Sequence, residues 1–158
     1  MSTFSEQIDS YHKVTPEKIA GFFKDYRFLS NFHGCAVKYN GQLYTSSEAA
    51  FQAAKSLDPE DHKRFATMTA AESKKEGRKL NLRADWDDVK DEVMMKILLD
   101  KFKDPELTKQ LLDTGDAILE ETNHWGDVYW GVDAESGEGR NTLGKILMVV
   151  RGVLKSHV

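Results

Sequence analysis

The stretch from Tyr44 to Leu57, YTSSEAAFQAAKSL, restricts the fold more than any other part of the chain. It opens with Thr45-Ser46-Ser47-Glu48, the T-x-x-E pattern of a capping box. In such a box the hydroxyl and the carboxylate satisfy free N–H groups at a helix start. At about 100° per residue, Ala50, Ala53, Ala54 and Leu57 share one face of the helix that follows. Glu48, Gln52 and Lys55 share another. The alanines allow close packing against a core. The polar stripe must face either water or a site. Read alone, Glu48 is a capping residue on a solvated face, or a carboxylate held rigidly over a cleft.

A chain of 158 residues is expected to form one domain, residues 1–158, with a core of its own. The net charge of −4 excludes a general basic footprint for nucleic acid but not a local basic pocket. The single cysteine, Cys35, excludes an internal disulfide and a cysteine-based zinc site, and reads as a buried structural thiol. No apolar run approaches the roughly 20 residues of a membrane span. The N-terminus, MSTFSEQIDSYHK, lacks the basic start and apolar segment of a secretion signal, so a cytoplasmic protein is expected.

Along the chain, residues 1–17 are polar and weakly patterned and are expected to be loosely ordered. Lys18 to Phe23, KIAGFF, reads as a first strand. An aromatic segment, Tyr26 to Phe32, contains Arg27 and the Ser30-Asn31 pair. Asn40-Gly41 between two short apolar runs predicts a hairpin leading into the Ala-rich helix. A short helix follows Pro59. A second T-x-x-E box at Thr69 to Glu72 opens a charged helix carrying Lys74, Lys75, Arg78 and Lys79, whose bland reading is a solvated face. Asp85 is expected to cap the longest helix, with Trp86, Val89, Val93, Ile97 and Leu98 inward. Asp104-Pro105 restarts a helix that Gly115 ends. Ala117 to Thr122 alternates like a strand, and Asn141 is expected to cap the last helix. The sum is an α+β fold, mainly helical, with a small sheet and an N-terminal β-hairpin packed by several helices.

The five histidines show no metal-ligand spacing, and no P-loop, G-x-G-x-x-G or G-x-S-x-G motif is present. Carboxylates beside aromatics remain. Glu120 ends a strand, and Asp127 stands three residues before Trp130 in a loop. A tryptophan there is a plug on the core or a ring that stacks a flat ligand. Gly137 to Gly144 places glycines and Arg140 just before a helix, where bare N–H groups and a guanidinium suit a phosphate. An ordinary Gly-rich loop is the alternative. Carboxylates, aromatic plates and phosphate-friendly loops together suit cleavage of a nucleoside-type bond, with a carboxylate stabilising the cationic sugar or activating water.

Several segments occur together and in order: FLSNF at Phe28 to Phe32, the run from Asn40 to Lys55, and Gly77 to Trp86. They continue with VMMKILLDKF at Val93 to Phe102, LLDTGD at Leu111 to Asp116, D-x-YWG at Asp127 to Gly131, and Gly139 to Arg151. In this order they resemble the YbiA-like family, also called the NADAR (NAD and ADP-ribose) superfamily, over roughly Gly21 to Leu154. The resemblance implies a metal-independent N-glycosidase without a cofactor, with a nucleotide-like substrate as partner. Removal of ADP-ribose from guanine, reversing DNA ADP-ribosylation, is the reaction expected first. Hydrolysis of early phosphorylated riboflavin-pathway intermediates is the rival, and a non-catalytic ADP-ribose or NAD module the third reading. Glu48 is the implied catalytic acid or base, and Asp127 the next candidate. Arg27, Asn31, Gln52, Lys55, Arg78, Trp86, Glu120, Trp125, Trp130, Gly131, Arg140 and Asn141 are expected to bind substrate. The acidic segment VDAESGE between Trp130-Gly131 and Gly139 departs from relatives with a shorter, Gly- and Lys-rich loop there.

Overall fold

The computed structural model describes residues 3–158; Met1 and Ser2 lie outside the described residues. The chain divides into two compact units. One comprises Asn31–Thr108, and the other the residues up to Ser30 together with Lys109–Val158. The architecture is the mixed α/β, helix-rich one expected.

The unit Asn31–Thr108 is built on the hairpin. Strands β3 (Gly34–Tyr39) and β4 (Gln42–Ser46) pair antiparallel. Asn40 and Gly41 turn between them with φ of 48° and 82°, the two positive values that a two-residue type I′ turn requires. Helix α2 (Ser47–Ala54) follows β4 without a break, and all eight of its residues are buried. Around it pack α3 (Pro59–Phe65), α4 (Ala70–Gly77) and α5 (Trp86–Lys101), together with the hairpin. Only a helix whose inward side chains are alanines can be approached from so many sides, and Ala49, Ala50 and Ala53 are fully buried. Val93, Met94, Ile97 and Leu98 of α5 and Phe65 of α3 complete this core. Cys35, on β3, is half-buried, and burial raises its thiol pKa.

Helix starts follow local chemistry, with two corrections. The second T-x-x-E box forms as expected, Thr69 Oγ1 accepting from Glu72 N–H and Glu72 from Thr69 N–H. The first does not. Helix α2 begins one residue late, so the N-cap is Ser46, whose hydroxyl accepts from Ala49 N–H at 3.1 Å. Glu48 therefore sits at the second helical position rather than the third, where a box needs its acid. Thr45 instead donates to Met68 O at 2.6 Å. At the start of α5, Asp85 makes no side-chain cap bond, because its carboxylate is held by Arg83. Helix α6 (Pro105–Asp113) starts as expected, Asp104 Oδ1 accepting from the N–H groups of Glu106 and Leu107.

In the other unit, β1 (Lys13–Val14), β2 (Lys18–Ala20) and β5 (Ile118–Glu120) form a three-stranded sheet in that order, with β2 and β5 parallel. β6 (Thr122–Asn123) and β7 (Val132–Asp133) make a second parallel pair, and α7 (Thr142–Lys155) packs on β5. Lys24–Leu29 forms a 3-10 turn that buries Phe28 and Leu29. The strand expected over Lys18 to Phe23 is β2, the second rather than the first, and it stops at Ala20 because Gly21 turns the chain with φ of 90°. The stretch expected to be loosely ordered contains α1 (Phe4–Tyr11), opened by a Thr3–Glu6 capping box and anchored by buried Ile8. No helix among the described residues is long and apolar enough to cross a membrane.

Ser46→Ala is expected to lower the unfolding free energy by about 1 kcal/mol, the usual loss for an N-cap. Glu48→Gln removes no cap and is expected to leave the urea midpoint nearly unchanged. A loss in Glu48→Gln as large as that in Ser46→Ala would restore the capping role.

Candidate active site

Glu48 is available to a site because Ser46 and Asn31 take over its capping duties. Its own N–H donates to Asn31 O at 3.0 Å, and Ser47 Oγ donates to Asn31 Oδ1 at 2.9 Å. The Asn31 amide is buried and donates to Met94 Sδ. Asn31 is thus tied to the first turn of α2. The Glu48 carboxylate, with the residue 8% exposed, accepts from Gln52 Nε2 at 2.8 Å, one turn along the helix.

A basic group adjoins this carboxylate. Burial lowers the Lys55 pKa below the ordinary lysine range, Glu48 pulls it back up, and Arg78 and Lys74 lower it further. Lys55 and Arg78 occupy the C-terminal caps of α2 and α4. Lys55 Nζ lies 6.0 Å from the centre of the Phe51 ring, and Phe51 packs on Trp86 with centroids 5.0 Å apart. Lys74 Nζ lies 5.6 Å from the Phe32 ring. A lysine in this setting can hold a phosphate as an ammonium or act as a nucleophile when neutral. Beyond Lys55 and Arg78 the chain runs into a groove of about 510 Å³ whose lining includes Ser56, Asp58, Arg64, Lys79 and Asn81. Its Arg64 and Lys79 are paired with Asp61 and Glu76.

The loop from Glu121 to Asn141 is ordered by polar side chains. Asn123, fully buried, donates to Asp127 O at 2.9 Å and accepts from Asp127 N–H at 3.0 Å. Asp127 Oδ1 in turn accepts from Tyr129 N–H at 3.1 Å and Trp130 N–H at 2.9 Å. Asn141, with φ of 53°, makes no cap bond to α7, correcting its expected role. Its amide accepts from Glu121 N–H and donates to Leu119 O, each at 2.9 Å. Nor are the N–H groups before α7 bare. Those of Arg140, Asn141, Thr142 and Leu143 donate to carbonyls of Val128, Gly131, Tyr129 and Trp130 in turn, so no phosphate cradle forms there. A side chain at Gly131 would collide with Glu121 O.

The expected site residues thus fall into two sets. Asn31, Glu48, Gln52 and Lys55 are brought together in one unit with Arg78 beside Lys55, while Trp86 is buried against Phe51 rather than open to a ligand. In the other unit Asp127 and Trp130 share the loop with Gly131 and Asn141, and exposed Arg140 lies over the Tyr129 ring at 5.1 Å. Trp125 is 45% exposed and meets Phe23 and His124 edge-on. Glu120 is occupied by Lys18 at 3.0 Å and by the Thr122 hydroxyl, and Arg27 is exposed. Sequence reasoning passed over Ser47, Gly77 and Asn123, and read Lys74 as part of a solvated basic face. Nothing local marks Asn123. Among the described residues no group of three or more His, Cys, Asp or Glu gathers as a metal site.

Residues 14–155 match the NADAR domain family. The chain is 37% identical over 145 residues to the N-glycosidase YbiA of Escherichia coli, covering 87% of this chain and 89% of that protein. It is 39% identical over 138 residues to a riboflavin biosynthesis protein of Vibrio vulnificus, covering 85% of this chain but only 37% of that longer protein. The solution structure of E. coli YbiA superposes with a TM-score of 0.79 at 34% identity, over 93% of this chain and 90% of that one.

Asp127→Asn keeps an Oδ1 acceptor for both loop N–H groups, whereas Asp127→Ala leaves them without one. The alanine variant is therefore expected to lose about 1–3 kcal/mol by denaturant unfolding, and the asparagine variant less than half of that. Equal losses would show that the carboxylate charge, not the acceptor, organises the loop.

Proposed function

The chain belongs to the NADAR domain family, and on that premise we propose that it is an N-glycosidase. It hydrolyses the bond between a base and a phosphoribosyl or ADP-ribosyl group. The observation that carries this reading is the buried Glu48 carboxylate, held by Gln52 and flanked by Lys55, with Arg78 and Lys74 beside that lysine. Breaking an N-glycosidic bond leaves the electron pair on the base and positive charge on the anomeric carbon. A fixed carboxylate in a partly desolvated setting stabilises that charge or takes a proton from the attacking water. The adjacent cations would hold the substrate's phosphate. The relatives named N-glycosidase support the reaction class.

Two substrates fit this chemistry. One is ADP-ribosyl-guanine, in DNA or free; the other is the phosphoribosyl-aminopyrimidine of the riboflavin pathway. The relative named for riboflavin biosynthesis favours the smaller substrate, and the basic group at Lys55 would serve a phosphate of either. Asp127, in the other unit, is a separate candidate carboxylate. Because its Oδ1 already receives two N–H groups, only its other oxygen is available to act on water.

Base release is measured by chromatography from the two substrates side by side. Wild type is expected to release base from at least one of them. Glu48→Gln is expected to lose about 10²–10⁴-fold in turnover, the range of a positioned acid–base group, while remaining folded. Full activity in Glu48→Gln would remove Glu48 from the mechanism. Tight ADP-ribose binding without base release from either substrate would make the protein a binding module.

A further inference from the structure

We propose that Gln52 is a positioning residue for Glu48, holding its carboxylate in one orientation; this rests on the glycosidase reading above. Gln52 Nε2 donates to Glu48 Oε1 at 2.8 Å, which ties the carboxylate to an amide one turn along the same helix. The donated N–H also stabilises negative charge on the carboxylate, which suits a group that meets a developing cation.

Stability does not explain an amide at this position. Gln52 is only 6% exposed, and its Oε1 is buried with no hydrogen-bond partner. A buried acceptor left without a partner costs stability, and an apolar side chain of the same length would avoid that cost. The neighbouring α2 positions are alanines and Phe51, so packing alone favours an apolar residue here.

The amide is also clamped. It lies against Gly77, where an added Cβ would collide with Gln52 Oε1 and approach Gln52 Cβ to 3.2 Å. The last turn of α4 thus presses bare backbone on the side chain. The arrangement holds Gln52, and through it Glu48, in one geometry at the expense of an unpaired acceptor. Retention of a locally unfavourable group beside a reactive one is the mark of a positioning role.

The test uses Gln52→Met, which keeps length and removes both the donor and the orphaned acceptor. It is run on whichever of the two substrates the wild type cleaves, with melting temperature measured in parallel. The expected result is a kcat reduced about 100-fold, as misplacement of a reacting group by an ångström produces. KM is expected to stay within twofold, and the melting temperature to be equal or higher. Unchanged kcat would overturn the proposal. A lowered melting temperature or an unfolded variant would overturn it too, since the residue would then be structural. If the wild type releases no base from either substrate, the glycosidase reading itself falls and takes this proposal with it.

Discussion

The hydrogen bond from Glu48 N–H to Asn31 O determines what α2 can present. At the start of a helix, several N–H groups lack partners within the helix. Acidic side chains nearby are usually drawn back to satisfy them. Here Ser46 takes the N–H of Ala49 and Asn31 takes that of Glu48, so these two groups are satisfied without the carboxylate. The Glu48 side chain is thereby released to run along the helix to Gln52. A shift of one residue in the helix start converts a common stabilising motif into a candidate reactive group.

That release has a cost in buried polarity which the alanines offset. Helix α2 is buried along its whole length, yet it carries Glu48 and Gln52 within its eight residues. A charged group in such a position survives only with partners and with close packing that excludes competing conformations. Ala49, Ala50 and Ala53 let the surrounding helices and hairpin come close, and Gly77 lets α4 reach the Gln52 amide. The basic residues are consistent with this. Lys55 is destabilised as a cation by burial and by Arg78 and Lys74, and stabilised by Glu48. Lys55 thus lies between a carboxylate that favours its charge and two cations that oppose it.

Much of the fold was legible wherever local chemistry decided the outcome. Asn40-Gly41 formed the turn its φ values demand, Thr69 formed its box, and Asp104-Pro105 restarted a helix. The failures were competitions settled by distant residues. Thr45 could have capped α2, but Met68 O captured its hydroxyl. Asp85 could have capped α5, but Arg83 offered a charged partner two residues away. Asn141 could have capped α7, but Leu119 and Glu121 drew its amide to β5 and the start of the loop. Helix α1 was missed although its Thr3-x-x-Glu6 box is plain, because only one buried apolar residue, Ile8, marks its inward face. At the site, the spacing of Glu48, Gln52 and Lys55 was readable as one stripe. Its companions Lys74 and Gly77 come from another helix, and no spacing rule connects them.

The same principle explains why the loop of Asp127 can be ordered with little secondary structure. Regular elements satisfy backbone groups by repetition; an irregular segment must do so one group at a time. Asn123 serves three carbonyls and two N–H groups, Asp127 two N–H groups, and Asn141 one of each. The N–H groups ahead of α7 are consumed in closing this loop, which is why an expected anion cradle is absent. In this chain the buried carboxylate is accompanied by cations at Lys55, Lys74 and Arg78, on α2 and at the end of α4. The juxtaposition of a carboxylate held by Gln52 with Lys55 is what distinguishes this place from a well-capped helix.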